Sequence, residues 1–386
     1  MTHAPVIVAA RRTAIGTAGR AFAGHTVDAL AAPVLAAVAA AVGPAGIPVD
    51  DVVLGNCMGP GGDLARVAGL RAGLGERVPG VTVDRQCGSG LDAVMQAASR
   101  VRAQDAALVI AGGAESASTA PHRRWPDTGE RYTRAPFAPS GYPDPDMGPA
   151  ADRLAALRGI SRGRQDAWAA RSHARAAAAQ AAGAFDPEIV AVDGVVRDDR
   201  PRAAMDAVRL ARFAPAFAAA DAGSGAGIAG GGTVTAGNSC GFSDGAAAMA
   251  VTTETIAREL GLPALRIRAT AVAAGDPALP GLGAAPAARA ALARAGMTSN
   301  DLGFIEITEA FAAQVLAVSD ELALDEDLIS ADGGAIALGH PWGASGAVLL
   351  VRLAARMLAA DDDRPGLAAC SIGGGQGIAM IVERAA

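Results

Sequence analysis

The chain has 386 residues, a formal net charge of −6 and 3% aromatic residues. That length exceeds what one hydrophobic core usually serves, so two or three packed units are expected. The acidic balance, the lack of a long basic run and the scarcity of stacking rings argue against a nucleic-acid partner, and the absence of any lysine excludes Schiff-base chemistry.

Met1 to Ala10 lacks a charged region followed by a long apolar run, and stretches such as Val34–Val42 are too short to cross a bilayer. Cys57, Cys87, Cys240 and Cys370 show no metal-ligand spacing, so a cytoplasmic protein with reduced thiols and no membrane partner is expected. Along the chain, Pro5–Ala10 reads as a strand, Thr26–Val42 as a helix and Asp51–Gly55 as a strand. Val81–Val83 leads into Cys87-Gly-Ser-Gly90, a helix from Leu91 to about Arg102, and an apolar run, Ala107–Ala111, closing on Gly112-Gly113. Residues 119–145 are rich in Pro, Arg, Asp and Tyr and read as a long excursion, followed by a helix over Arg162–Ala182. The glycine-rich Ala222–Gly232 reads as a flexible surface insertion. Gly339-His-Pro-Trp-Gly-Ala-Ser-Gly346 then precedes a helix to about Leu358 and an apolar strand, Leu367–Ser371, which ends in three glycines. A small-residue turn, a helix and a buried strand closing on glycines thus occur twice. The pattern suggests an α/β protein of two related halves with a loop domain between them.

Cys87 carries the strongest chemical signal. It stands directly before glycines and a helix, where free N–H groups and the helix dipole lower a thiol from its usual value of about 8.5. The glycines also let backbone N–H groups approach a reacting carbonyl. A buried cysteine acting as a small hydrophobe is the reading that the local sequence leaves open. His340, between glycine-rich turns and before proline, belongs to no helical or strand pattern, so its imidazole is free to accept a thiol proton. The alternative is a loop histidine bonded to backbone. His3, His25, His122 and His173 have no comparable setting, and Gly373–Gly377 lacks the lysine of a P-loop and the spacing of a dinucleotide site.

Together these stretches resemble the thiolase family from Val6 onward. The resemblance rests on Asp84-Arg-Gln-Cys-Gly-Ser-Gly90, Ala111-Gly-Gly-Ala-Glu-Ser116, Gly232-Thr-Val-Thr-Ala-Gly-Asn238, Glu309-Ala-Phe-Ala-Ala-Gln314, Gly333-Gly-Ala-Ile-Ala-Leu-Gly-His-Pro341 and Gly373–Gly377. It implies a thiolase fold of two related α-β-α-β-α layered half-domains with an inserted loop domain. The expected boundaries are 1–118 plus 233–262 for the N-terminal half, 119–232 for the coenzyme A-binding loop domain, and 263–386 for the C-terminal half. It further implies a homodimer or homotetramer that needs no cofactor and takes coenzyme A thioesters as substrates.

By the same resemblance, Cys87 is the nucleophile that carries the acyl group and His340 activates it. The N–H groups of Cys87 and Gly373 would bind the oxyanion. Arg202, Met147, Cys240 and Phe311 would contact coenzyme A. The chain also departs from the family pattern. Ser371 stands where most members have a second cysteine that moves a proton at the α-carbon, and Thr308 stands in place of an asparagine or histidine that positions a water. A hydroxyl is a far weaker acid than a thiol, so Ser371 is a poor direct replacement. Strand alternation turns the neighbouring Cys370 to the opposite face unless a bulge intervenes. Asp146 replaces a histidine beside the expected polyanion. The leading expectation is therefore thiolytic cleavage or Claisen condensation of a 3-ketoacyl-coenzyme A. A biosynthetic or decarboxylating acyltransferase is the alternative, and a non-catalytic subunit the third reading.

Overall fold

The structure, a computed structural model, describes residues 4–43, 46–217 and 231–385. The insertion expected at Ala222–Gly232 therefore lies outside the described residues except for Gly231 and Gly232. The strands are β1 (Pro5–Thr13), β2 (Gly16–Thr17), β3 (Asp51–Gly55), β4 (Gly80–Val83), β5 (Leu108–Ser116), β6 (Arg123–Arg124), β7 (Arg131–Tyr132), β8 (Ile189–Val190), β9 (Ser243–Thr253), β10 (Leu265–Ala274), β11 (Phe304–Ile307), β12 (Gly366–Ile372) and β13 (Gln376–Arg384). The helices are α1 (Val27–Val42), α2 (Leu64–Arg71), α3 (Ser89–Ala103), α4 (Met147–Arg158), α5 (Arg162–Ala181), α6 (Ala207–Leu210), α7 (Glu254–Glu259), α8 (Ala284–Ala295), α9 (Ala312–Leu322), α10 (Ala335–Leu338) and α11 (Trp342–Ala359).

The main sheet runs β11-β12-β13-β10-β1-β9-β5-β3-β4. Its pairing repeats about the β1–β10 junction. β3 lies parallel to β5 and β11 parallel to β12. β9 runs antiparallel to β5 as β13 does to β12, and β1 joins β9 as β10 joins β13. The twofold sequence pattern thus has a twofold structural counterpart. α3 precedes β5 and α11 precedes β12, and these two helices pack against each other. They are buried between the inner faces of both half-sheets, with Val94, Leu350, Met249 and Met380 in one cluster. α1 covers the outer face of one half-sheet and α8 that of the other, giving an α-β-α-β-α stack. α11 is largely apolar because both half-sheets surround it, and its two arginines, Arg352 and Arg356, are paired with carboxylates.

The excursion over 119–145 holds only the β6–β7 hairpin, in which Trp125 stacks on Tyr132 at 4.4 Å. The sequence reading missed α4, whose alternating Pro, Asp and Arg blur the helical period; its Leu154 packs with Trp168 of α5 onto the C-terminal half. The return from this segment is anchored by buried charge. Arg12 holds Glu188 and Asp198 at 2.6 and 2.7 Å, and Arg352 shares Glu188.

Candidate active site

Glycines set how closely the two central helices meet. A Cβ on Gly90 of α3 would lie 2.8 Å from the Gly343 carbonyl and 2.9 Å from the Ala347 nitrogen, both in α11. A Cβ on Gly346 would lie 2.5 Å from the Leu91 nitrogen. Only hydrogen fits at these positions, so the helices touch backbone to backbone at their N-terminal ends. One end carries Cys87 and the other follows His340.

Cys87 occupies a single 3-10 turn, Gln86–Gly88, just before α3. Gln86 is held at φ 47°, a left-handed conformation unusual for a residue with a side chain. Asp84 fixes it by accepting from its backbone N–H at 2.8 Å, and the Ser89 hydroxyl donates to its carbonyl at 2.6 Å. Gly88 packs on Ile372, where a Cβ would stand 2.5 Å from the isoleucine Cδ1. The Gly373 turn that follows Ile372 is thereby brought beside the Cys87 turn, and the Phe137 ring covers it, 2.5 Å from where a Gly373 Cβ would be.

The structure brings Cys87 and His340 together: Sγ lies 3.3 Å from Nε2. The imidazole is oriented from behind, its Nδ1 lying 2.6 Å from the Ser345 hydroxyl and its backbone N–H donating to Ser243 Oγ at 3.2 Å. With the proton on Nδ1 and donated to Ser345, Nε2 is left as the acceptor facing the thiol. Burial lowers the His340 pKa to about 4, so the ring is neutral near pH 7. Burial likewise pushes the Cys87 thiol up, aided by the nearby Cys370 and Cys240, while its own backbone N–H works the other way. The sequence reading expected a lowered thiol. At this N-terminus burial acts in the opposite direction and holds the thiol above its ordinary value.

Ser371 and Cys370 point to opposite faces of an unbulged β12. The half-buried Ser371 donates its hydroxyl proton to the Gly281 carbonyl at 2.7 Å and accepts from the Ala284 N–H at 3.1 Å. Cys370 is fully buried in the inner layer, with its thiol raised to about 12, yet it is the titratable neighbour acting most strongly on Cys87. Thr308 is also buried, its hydroxyl 3.1 Å from Cys370 Sγ, so this group is spent on the thiol behind the site.

The four residues expected at coenzyme A are gathered less tightly. A bridge pairs Ser239 with Phe311, and the Cys240 N–H donates to the Ala310 carbonyl at 3.0 Å. Met147 opens α4, and the next residue, Gly148, packs on Phe217, which meets Phe311 edge-on at 6.3 Å. Arg202 is exposed, two residues from Arg200, whose guanidinium lies on Gly241. The Asp146 carboxylate is not left bare: Arg134 binds it at 3.1 Å and also reaches Asp144 at 2.8 Å.

Sequence reasoning missed several residues that shape the site. Ser345 lies in the same Gly-His-Pro stretch as His340, but nothing in a one-dimensional pattern marks it as the imidazole's partner. Glu115 is fully buried and accepts from Asn56 Nδ2 and from the N–H groups of Cys57, Met58 and Gly343, at 2.9 to 3.2 Å. It ties the segment after His340 to the half that holds Cys87.

Two family models match the chain: "Thiolase, N-terminal domain" over residues 5–255 and "Thiolase, C-terminal domain" over 262–384. Among curated relatives, an acetyl-CoA acetyltransferase of Escherichia coli K12 is 41% identical, with 98% of each chain covered. That of Cupriavidus necator is 42% identical over 98% of this chain and 99% of its own. A crystal structure of the Bacillus anthracis acetyl-CoA acetyltransferase superposes with a TM-score of 0.90 at 35% identity, covering 100% of this chain and 99% of that one.

Proposed function

The chain belongs to the thiolase family and is an acyltransferase, and from that premise we propose that it makes or cleaves 3-ketoacyl-coenzyme A through an acyl-thioester on Cys87. The observation that carries this reading is the 3.3 Å approach of the Cys87 sulfur to a neutral imidazole already anchored on Ser345.

In the thiolytic direction His340 Nε2 takes the Cys87 proton as the sulfur attacks the 3-keto carbon. The N–H groups of Cys87 and Gly373 stabilise the oxyanion. The bond between the α-carbon and the keto carbon then breaks. The acyl group stays on Cys87, and the departing enolate of acetyl-coenzyme A takes the proton from the His340 imidazolium. Coenzyme A next enters as a thiol and gives its proton to His340. Its sulfur attacks the acyl-enzyme, and the released Cys87 thiolate recovers the proton. Each half-reaction balances with one base, which supports His340 as the proton carrier where the family's second cysteine is missing. The Ser371 proton is committed to Gly281, and Cys370 is sealed from solvent. The pocket around Cys240, Phe311, Met147 and Arg202 would receive the coenzyme A portion.

Intact-protein mass spectrometry with a panel of acyl-coenzyme A thioesters tests the proposal. Wild type should gain one acyl mass, Cys87→Ala none, and added coenzyme A should release the label. Ser371→Ala should keep thiolysis within about threefold, the scale of one lost neutral hydrogen bond. A label that persists on Cys87→Ala would refute the assignment of the nucleophile. A hundredfold loss in Ser371→Ala would refute the single-base scheme.

A further inference from the structure

Among the described residues, both fully buried arginines are paired. Arg12 and Arg352 each hold two carboxylates. Arg200 is partly buried, its Nε is sealed from solvent, and no hydrogen bond or ion pair reaches its guanidinium among the described residues. The group packs against Gly241, where a Cβ would stand 2.6 Å from its Cζ. Gly241 in turn is part of the active-site wall. Its carbonyl accepts from the His340 N–H at 3.4 Å and from Ser243 Oγ at 2.8 Å, and its neighbour is Cys240. Burial is what chiefly opposes the charge on Arg200; Arg202 and Arg20 add to that, while Cys240 and Asp199 act the other way. The Asp199 carboxylate already accepts from the Thr17 N–H at 2.9 Å and the Thr17 hydroxyl at 2.7 Å. His173 faces the same cluster. It is 5% exposed, its Nδ1 has no partner among the described residues, and burial together with Arg200 and Arg202 keeps it neutral, with a pKa of about 4.

A guanidinium partly withdrawn from water, its Nε sealed and unpartnered and its two terminal nitrogens open, is short of an acceptor, and its planar fork suits a carboxylate or phosphate. We infer that Arg200, with His173 and Arg202 beside it, is an anion-binding position that pairs with a negatively charged group of the bound thioester. The inference rests on the proposed coenzyme A substrate. Two groups share the required chemistry: a phosphate of coenzyme A, or a carboxylate at the far end of the acyl chain. The role of Arg200 is binding and selection, and no bond to the thioester carbon is made or broken by it.

Calorimetric titration with three probes separates the sources. The probes are coenzyme A, pantetheine, and the S-(3-carboxypropyl) thioether of pantetheine. None can acylate Cys87, so the result is independent of whether the nucleophile is correctly assigned. For a phosphate partner, Arg200→Gln should weaken coenzyme A about tenfold and leave pantetheine unchanged; for a carboxylate partner, only the carboxypropyl thioether should weaken, by a similar factor. Arg200→Lys, which keeps the charge, should retain most of the affinity in either case. Equal affinity of the wild type for all three probes would overturn the inference without any variant. So would a loss in Arg200→Gln that is the same for neutral pantetheine as for the charged probes.

Discussion

Gly90→Ala puts the seam between the central helices to a direct test. The new methyl would stand 2.8 Å from the Gly343 carbonyl and 2.9 Å from the Ala347 nitrogen, both backbone atoms that no side-chain rotation can move. Reaching ordinary contact requires α3 and α11 to separate by roughly 0.6 Å at this point. If the ends move with their helices, the 3.3 Å contact between Cys87 and His340 lengthens toward the limit at which a sulfur donor still reaches nitrogen. Misplacement on this scale costs about 10- to 100-fold in a proton-transfer step. Overpacking costs about 1–3 kcal/mol of stability, offset by up to about 1 kcal/mol from alanine's better helix propensity. The assay is the single-turnover rate of Cys87 acylation, read by mass spectrometry well below the variant's melting temperature. Gly69→Ala in α2 is the control, since its methyl would meet nothing closer than 3.7 Å and should leave the rate unchanged. A folded Gly90→Ala enzyme that acylates at the wild-type rate would show that the glycine seam does not set the distance between the reactive groups.

Ser345→Ala removes the 2.6 Å anchor of the imidazole. Acylation should slow about tenfold with little change in KM for the thioester, which steady-state kinetics will resolve. His340 is held near pKa 4 in the fold against about 6.5 when unfolded. Between those values the unfolded chain binds the extra proton, so this group's contribution to stability is complete above pH 6.5 and is lost as pH falls toward 4. Glu115, raised to about 6 by burial, acts in the opposite sense above its unfolded value. The check is therefore the difference in melting slope between wild type and His340→Gln, which should be positive with rising pH; no difference would contradict the buried neutral ring. Phe137→Ala uncovers the Gly373–Gly374 turn. It should raise kcat/KM for longer acyl chains relative to acetyl by about tenfold, measured with a chain-length series of thioesters.

The alternation of strands and helices in the first and last thirds was legible because each element repeats its own period and ends on glycines. Asp51–Gly55 coincides with β3, and α5 ends within one residue of the expected position. β9 was not legible. Its run Ala246-Ala-Ala-Met-Ala250 has a helix former at nearly every position, and it becomes a strand because β1 and β5 pair with it on either side while both faces are covered. In the site, Cys87 and His340 could be singled out because both sit in small-residue turns. What surrounds them could not be read. The pairing of Asp146 with Arg134, the commitment of the Ser371 proton and the rise of the Cys87 pKa all depend on distances between segments far apart in sequence. The twin motif suggested two halves, but it did not say that their helices would meet through glycine contacts at the reactive residues.

The mirrored sheet order draws one atom of the proposed reactive pair from each half, the Cys87 sulfur from the first and the His340 nitrogen from the second. On the proposed mechanism neither half is a catalyst alone. Because α3 and α11 share one buried core with both half-sheets, activity would report whether the two halves stay packed together. The chain's chemistry would be a built-in gauge of whether its two similarly paired halves are in register.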